Sequence, residues 1–254
     1  MKKKEKKKLQ RYILGLIVAL IVAVISYFYP NVENEIRQMF GAEIVNATTT
    51  ITSFDLSSIP EFTDLPFVYI NNNIPDFTEQ DYKKWVLENY SELDSLGRCG
   101  VAFANICKEI MPAEPRGEIG MIKPSGWKLA KYDIVDGKYL YNRCHLIGYQ
   151  LAGENANEKN LITGTRYLNV QGMLPFENEV ADYIKNQNKN EDKHVLYRVT
   201  PIFENSNLVA SGVQMEAYSV EDNRQGVCFN VYVYNAQPGI EINYANGESS
   251  YVEK

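Results

Sequence analysis

The N-terminus places the strongest constraint on what this chain can fold into. Residues 1–11 carry seven positive charges and one negative charge, and eighteen uncharged residues follow from Tyr12 to Tyr29. As a helix, this apolar segment would be roughly 27 Å long, close to the thickness of a bilayer core. Lysines that precede such a segment favour the cytoplasmic side. The sequence therefore predicts a basic cytoplasmic N-terminus, one transmembrane signal anchor over residues 12–29, and an extracellular remainder.

A cleaved signal peptide is the alternative reading of this segment, and the remainder would then be secreted. The apolar region of such a peptide usually spans about 7–15 residues. The segment here is longer, and no small-residue triplet follows it directly. A buried core helix is excluded, because a run of lysines at the very start of a chain does not precede one. Both surviving readings export the C-terminal part.

The rest of the chain divides by composition into three parts. Residues 30–57 are rich in threonine and serine and are predicted to form a polar linker. Residues 58–246 alternate short apolar runs with helical patterns, which predicts a single α+β domain, and residues 247–254 are predicted to be a polar tail. Strands are predicted at residues 67–70, 138–144, 195–201 and 227–234, helices at 78–90 and at 165–187 with a break at Gly172, and either state at 99–110.

Composition excludes several classes of protein. Four cysteines are too few for a disulfide scaffold, and two histidines exclude most histidine-rich metal sites. The chain has a net charge of −6, and the part that follows residue 11 has −12. Such an acidic domain is a poor default for binding nucleic acid. Residues 98–170 nevertheless carry ten basic and seven acidic side chains, so a local basic cleft stays open.

Chemistry-bearing side chains cluster between residues 142 and 178. Arg143 lies two residues before His145 at the end of a predicted strand, so both side chains face the same side. Arg166 and Asn169 are three apart in a predicted helix and are therefore neighbours. Glu177 follows after a proline. His194, in a run of polar residues, is predicted to lie at the surface.

Taken together, these residues resemble the DNA/RNA non-specific endonucleases of the ββα-metal (His-Me finger) class, in particular nucleases of bacterial DNA uptake and secreted streptococcal DNases. That family's Asp-Arg-Gly-His motif is matched by residues 142–145, with Asn142 and Cys144 as departures. Its Asn-x-Lys-Asn frame with a later asparagine fits residues 157–160 and Asn169. Residues 116–120 and 123–127 also resemble the subgroup.

The resemblance implies a ββα-metal nuclease core with a mainly antiparallel sheet and single-metal phosphodiester hydrolysis. His145 would be the general base, since a neutral histidine can take a proton from water. One Mg²⁺, with Mn²⁺ as a substitute, would bind the Asn169 oxygen and reach Glu177 through water. Arg143 and Arg166 would hold phosphate oxygens. Asn160 is a candidate for substrate binding and for supporting the fold of the site.

The expected partners are DNA, with RNA as a further substrate, the membrane through the N-terminal helix, and DNA-uptake machinery. No small-molecule cofactor is expected. Contacts made only to phosphate and metal predict low sequence specificity. Two alternatives stay open: a nuclease toxin, and a catalytically weak or inactive module that binds DNA or a partner at the cell surface. Asn142, Cys144 and the acidic composition motivate the second of these.

Overall fold

The computed structural model describes residues 55–83, 87–188 and 191–252. The predicted cytoplasmic segment, the predicted anchor over residues 12–29 and nearly all of the predicted linker lie outside the described residues. Within these three ranges, no helix has the length and apolar character needed to cross a membrane.

Ten strands and three α-helices make up the described part of the chain. In chain order they are β1 (Phe67–Tyr69), α1 (Glu79–Lys83), β2 (Glu88–Tyr90), β3 (Ala102–Ile106), β4 (Tyr141–His145), α2 (Tyr149–Ala152), β5 (Leu161–Thr165), α3 (Leu174–Lys185), β6 (Val195–Ile202), β7 (Gly212–Ser219), β8 (Cys228–Tyr234), β9 (Ile240–Asn243) and β10 (Glu248–Tyr251).

The main sheet has six strands in the order β1-β8-β7-β6-β3-β2, and every pair in it is antiparallel. Its long central strands are rich in valine and tyrosine, which suit a pleated and buried surface. Helix α3 covers one face of the sheet with an apolar stripe of helical spacing that comprises Phe176, Val180, Ala181 and Ile184. The expected α+β class with a mainly antiparallel sheet is confirmed.

A separate hairpin stands beside the sheet and leads into α3. Strand β4 pairs with β5, with His145 opposite Leu161. The amide of Asn235, which follows β8, accepts from the Thr165 backbone N–H and donates to the Thr163 carbonyl, so β5 is fixed to the end of the sheet. A π-helical segment, Leu168–Met173, then runs directly into α3. This is the strand–strand–helix order that the resemblance implies.

The predicted break at Gly172 is wrong, because the π-helical segment continues into α3 without leaving helical backbone angles. Gly172 is needed for close packing instead: a Cβ there would lie 2.2 Å from Cγ1 of Val233 in β8. The predicted helix over residues 78–90 is too long. Its capping pair forms, with hydrogen bonds between Thr78 and Asp81, but residues 88–90 are strand β2.

Two further expectations are corrected by the fold. Strand β10 pairs with β9, so residues assigned to the polar tail form a hairpin. His194 is 5% exposed rather than at the surface, and its Nδ1 lies 2.7 Å from a carboxylate oxygen of Glu221. All four cysteines are free thiols.

Candidate active site

His145 ends strand β4 and is 5% exposed. Its Nε2 lies 2.9 Å from the carbonyl oxygen of Asn155. A carbonyl oxygen can only accept, so Nε2 must carry the proton and Nδ1 must present its lone pair. The backbone of Asn155 therefore sets the tautomer that a general base needs.

The end of β4 is held in place by Asn160. This side chain is completely buried; its Oδ1 accepts from the Ile147 N–H at 2.8 Å and its Nδ2 donates to the Ile147 carbonyl at 3.0 Å. The Asn160 carbonyl also accepts from the Leu146 N–H. Asn160 therefore does not reach a substrate, which corrects the substrate-binding assignment and leaves it a role in supporting the site.

Burial and one nearby arginine set the charge of His145. Burial, followed by repulsion from the Arg116 guanidinium, lowers the pKa of His145 to about 4. An Nη2 atom of Arg116 lies 3.4 Å from Nδ1 of His145. The imidazole is therefore neutral at pH 7, as a base must be.

Arg116 is a member of the cleft that sequence reasoning did not assign a role. It is exposed, and it contacts His145 from a loop more than twenty residues upstream. The sequence indicates only in part that Arg116 belongs to the site, because residues 116–120 are part of the stretch that resembles the subgroup. Nothing in the spacing indicates that this loop folds over the base.

Asn169 projects from the first turn of the π-helical segment towards the base of the hairpin. Its Oδ1 lies 3.2 Å from the thiol sulfur of Cys144, and its Nδ2 lies 3.3 Å from Oδ1 of Asn142. The two residues at which this chain departs from the family motif thus both contact Asn169. An amide oxygen has two lone pairs, so one remains for a metal ion beside the thiol contact.

Glu177 lies in the first turn of α3 and faces the same cleft. Burial raises the pKa of its carboxyl to about 7, against smaller opposing effects of Gln150 and Arg116. The carboxylate packs directly on the backbone of Gly148, where a Cβ would lie 2.6 Å from Glu177 Oε2. A half-buried carboxyl with a raised pKa in a cleft is a common feature of functional sites.

Arg143 contributes mainly to the shape of the cleft. Its Nε donates to the carbonyl of Ile122 and its Nη2 to the carbonyl of Gly120 at 2.7 Å. Its guanidinium also stacks on Trp127, with the central carbon 4.2 Å from the ring centroid. Two of its five N–H groups are thus committed to the loop, which leaves the others for a ligand.

Arg166 keeps a more available guanidinium. It forms an ion pair with Asp136 at 2.8 Å, in which the Asp136 side chain is 77% exposed. Exposed pairs of this kind contribute about 0–1 kcal/mol. A phosphate group can therefore compete for Arg166 at little cost.

These side chains line one cleft of about 500 Å³. The sequence-predicted residues that reach it are Arg143, His145, Arg166, Asn169 and Glu177, and the structure adds Arg116, Gly148 and Gln150. Among the described residues, no group of three or more histidine, cysteine, aspartate or glutamate side chains is arranged to hold a metal. The Asn169 oxygen and the Glu177 carboxyl fit a hard cation that keeps most of its bound water molecules, as Mg²⁺ commonly does.

Comparison with known proteins identifies the fold and the family. Residues 78–221 match the family described as DNA/RNA non-specific endonuclease. The chain belongs to the DNA/RNA non-specific endonuclease family. Members of this family are nuclease hydrolases, so the expected enzyme class is confirmed.

Individual relatives of this endonuclease chain are streptococcal. A deoxyribonuclease from Streptococcus dysgalactiae subsp. equisimilis is 34% identical over 114 residues, which are 43% of this chain and 32% of that protein. The chain therefore matches about a third of the length of this curated relative.

Three solved structures share the fold. Metal-free NucA from Streptococcus agalactiae superposes with a TM-score of 0.63 and 25% identity, over 78% of this chain and 92% of that one. The Sda1 nuclease, solved with a bound zinc ion, gives 0.54 and 27%, over 80% and 94%. A second NucA structure, with magnesium bound, gives 0.64 and 24%, over 78% and 93%.

Proposed function

We propose that this chain is a Mg²⁺-dependent endonuclease that hydrolyses phosphodiester bonds of DNA with little sequence specificity, with RNA as a further substrate. One observation carries the proposal: a neutral histidine whose Nδ1 faces Arg116 lines the same cleft as an amide side chain, a half-buried carboxyl and three arginines. The family, the deoxyribonuclease relative and the metal-bound neighbours support it.

The chemistry follows from the tautomer of His145. Its Nδ1 takes a proton from the attacking water, while Nε2–H keeps its hydrogen bond to the Asn155 carbonyl, which stabilises the imidazolium as it forms. Arg116 and Arg166 bind phosphate oxygens, and Arg143 holds the loop that shapes the cleft. Asn169 would hold Mg²⁺ directly and Glu177 through water. When bound, the ion neutralises charge on the leaving oxygen.

The cellular setting is also a proposal. The predicted anchor over residues 12–29 would tether the nuclease domain, residues 58–246, to the outer face of the cell membrane, or release it if the segment is cleaved. A nuclease held there would act on extracellular DNA, in scavenging or beside DNA-uptake machinery.

Incubation of the full chain with supercoiled plasmid tests the enzyme against the alternative of an inactive binding module. The proposal predicts nicked and then linear plasmid with Mg²⁺ and intact plasmid with EDTA. The family resemblance implies products with 5′-phosphate ends. A DNA ligase should therefore seal the nicked plasmid without prior phosphorylation. A folded protein that retards the plasmid in a gel but leaves it intact with Mg²⁺ and with Mn²⁺ would favour the binding module.

A further inference from the structure

A long loop between β3 and β4 is the largest irregular part of the described chain. Residues 111–140 contain no helix or strand apart from an isolated bridge between Lys131 and Tyr139. Loops of this length inside compact domains are uncommon and are usually functional. The first part of the loop brings Arg116 to the catalytic cleft, and the remainder has no role in the chemistry described above.

The loop is fixed on the domain rather than loosely attached. Arg143 binds the carbonyls of Gly120 and Ile122. Further along, the Ser125 hydroxyl donates to the carbonyl of Leu208 at 2.6 Å, and the Ser125 carbonyl accepts from Thr163 Oγ1 at 2.8 Å. Side chains on this loop are therefore presented at fixed positions next to the cleft.

The middle of the loop is basic, although the chain that follows residue 11 is acidic as a whole. Between Glu118 and Asp133 the chain contains three lysines, Lys123, Lys128 and Lys131, and no acidic residue. All three are exposed. Within the described part of the chain, Lys123 and Lys128 form no ion pair, whereas Lys138 and Lys159 are paired with carboxylates. Unpaired lysines on an acidic protein are free to bind phosphate.

Exposed apolar side chains are interleaved with these lysines. Met121 is 69% exposed and Leu129 is 74% exposed, and Lys131 Nζ lies over the ring of Tyr139 at 4.5 Å from its centroid. Basic side chains mixed with aromatic and apolar ones are typical of surfaces that bind nucleic-acid strands, because bases and sugars pack on the apolar groups.

We propose that Lys123, Lys128 and Lys131 form a second substrate-binding surface, here called the loop lysines, that binds the phosphate backbone on one side of the cleaved bond. This inference rests on the proposed nuclease function. The loop that carries these lysines also supplies Arg116 and Ile119 to the lining of the cleft, and Ile119 lies four residues before Lys123. Contacts made away from the reacting phosphate strengthen binding of a polymer and leave the chemical step unchanged.

The test compares two full-length variants with the unsubstituted chain. The first is Lys123→Gln/Lys128→Gln/Lys131→Gln. The matched control is Lys108→Gln/Lys185→Gln/Arg224→Gln, which also removes three positive charges from exposed residues. These residues lie near the end of the β6–β7 pair at which Val195 is opposite Ser219. All three proteins keep the basic N-terminus, so differences between them report on the substituted surface alone.

Binding of a fluorescent 20-mer duplex in EDTA is measured by anisotropy over a range of salt concentrations, and cleavage is measured in Mg²⁺. Loss of the loop lysines should weaken binding about tenfold and reduce the slope of log affinity against log salt by about 2, since each phosphate contact contributes roughly 0.7–0.9. KM should rise with kcat unchanged. The control variant should match the unsubstituted chain.

Two results would overturn the inference: an unchanged affinity and salt slope for the loop-lysine variant, or an equal loss for the control variant. These results are distinct from failure of the proposed function. An unsubstituted chain that binds the duplex but does not cleave it in Mg²⁺ would refute the nuclease, while the anisotropy comparison would still decide whether the loop lysines bind nucleic acid.

Discussion

At the scale of the residue, burial prepares His145 for its proposed role as the base before any substrate arrives. The Asn155 carbonyl fixes the proton on Nε2, and burial together with Arg116 keeps Nδ1 unprotonated. Asn160, a completely buried amide, holds the backbone that positions the ring. The catalytic geometry therefore depends on polar groups that a substrate never touches.

The lowered pKa of His145 predicts the pH at which the cleavage rate falls on the acid side of its pH profile. The base works only when neutral, and its pKa of about 4 means that it stays neutral down to about pH 5. At saturating Mg²⁺, which keeps Glu177 ionised, kcat/KM should therefore fall only as pH drops through about 4. A profile from pH 4 to pH 8 at two high Mg²⁺ concentrations checks this. An acid limb near 6.5 at both concentrations, the value of an ordinary histidine, would contradict it.

Gly148 is predicted to matter because it leaves room for the Glu177 carboxylate. In Gly148→Ala the new Cβ would lie 2.6 Å from Oε2, so the carboxylate must move while the backbone, at an ordinary φ of −57°, keeps its conformation. Activity should fall roughly tenfold to a hundredfold with little change in stability, since misplacement of a catalytic group by about 1 Å can cost a factor of this size.

The matched control for that variant is Gly120→Ala. A Cβ at Gly120 meets no atom within 4 Å, although the residue lies on the loop next to the cleft. Its activity and its thermal unfolding midpoint should match those of the unsubstituted protein. Equal activity in the two variants would show that the contact between Gly148 and Glu177 is not important.

The departures from the family motif allow another prediction about the metal. In Asn142→Asp a carboxylate would replace the amide whose Oδ1 now lies 3.3 Å from Nδ2 of Asn169. The added negative charge beside Asn169 should strengthen Mg²⁺ binding several-fold by ordinary Coulomb attraction. Calorimetric titration of both proteins with Mg²⁺ measures this without reference to activity. Weaker binding by the variant would argue that the ion lies elsewhere.

At the scale of the element, the site is built where a hairpin, a π-helical segment and α3 meet. The π-helical segment carries Asn169, and α3, which follows it directly, carries Glu177 in its first turn. π-Helical turns are rare and are often found at functional sites. Here the segment allows one continuous helix to present Asn169 and Glu177 to the same cleft.

Gly172 is predicted to control how closely this segment approaches the sheet. In Gly172→Ala the new methyl would lie 2.2 Å from Val233 Cγ1, so the variant should lose about 1–3 kcal/mol of stability in urea unfolding. Val233→Ala makes room for that methyl, so the double variant should be more stable than the two single losses would give by addition. Strict additivity would contradict the packing account.

Two of the strands that sequence reasoning missed share a physical cause. Strands β5 and β7 are buried along most of their length, so they lack the alternation that identifies a half-buried strand. Strand β7 also contains Glu216, a carboxylate that is 2% exposed and bound by Arg198 at 2.7 Å. The burial of His194 was not predicted either, because its polar neighbours in sequence give no indication of its partner Glu221. Local patterns cannot reveal a partner that arrives from a distant strand.

At the scale of the whole molecule, the order of the motifs along the chain indicated the family even where no single residue did. The motif residues on β4, the asparagine frame and Glu177 could be placed from their spacing, because a hairpin followed by a helix is compact and local. Arg116 and Gly148 could not, since only the folded loops bring them to the cleft. An acidic protein thus contains a local cationic site that its net charge does not indicate.

The proposed role of His145 as the base of a metal-dependent nuclease is tested by the cleavage rate of His145→Ala in Mg²⁺ beside that of His145→Gln. Both variants should bind duplex DNA in EDTA as the unsubstituted chain does and should unfold cooperatively. Their kcat should fall by about 10²–10⁴, the usual contribution of a general base. Cleavage by a folded His145→Ala at nearly the original rate would contradict the account.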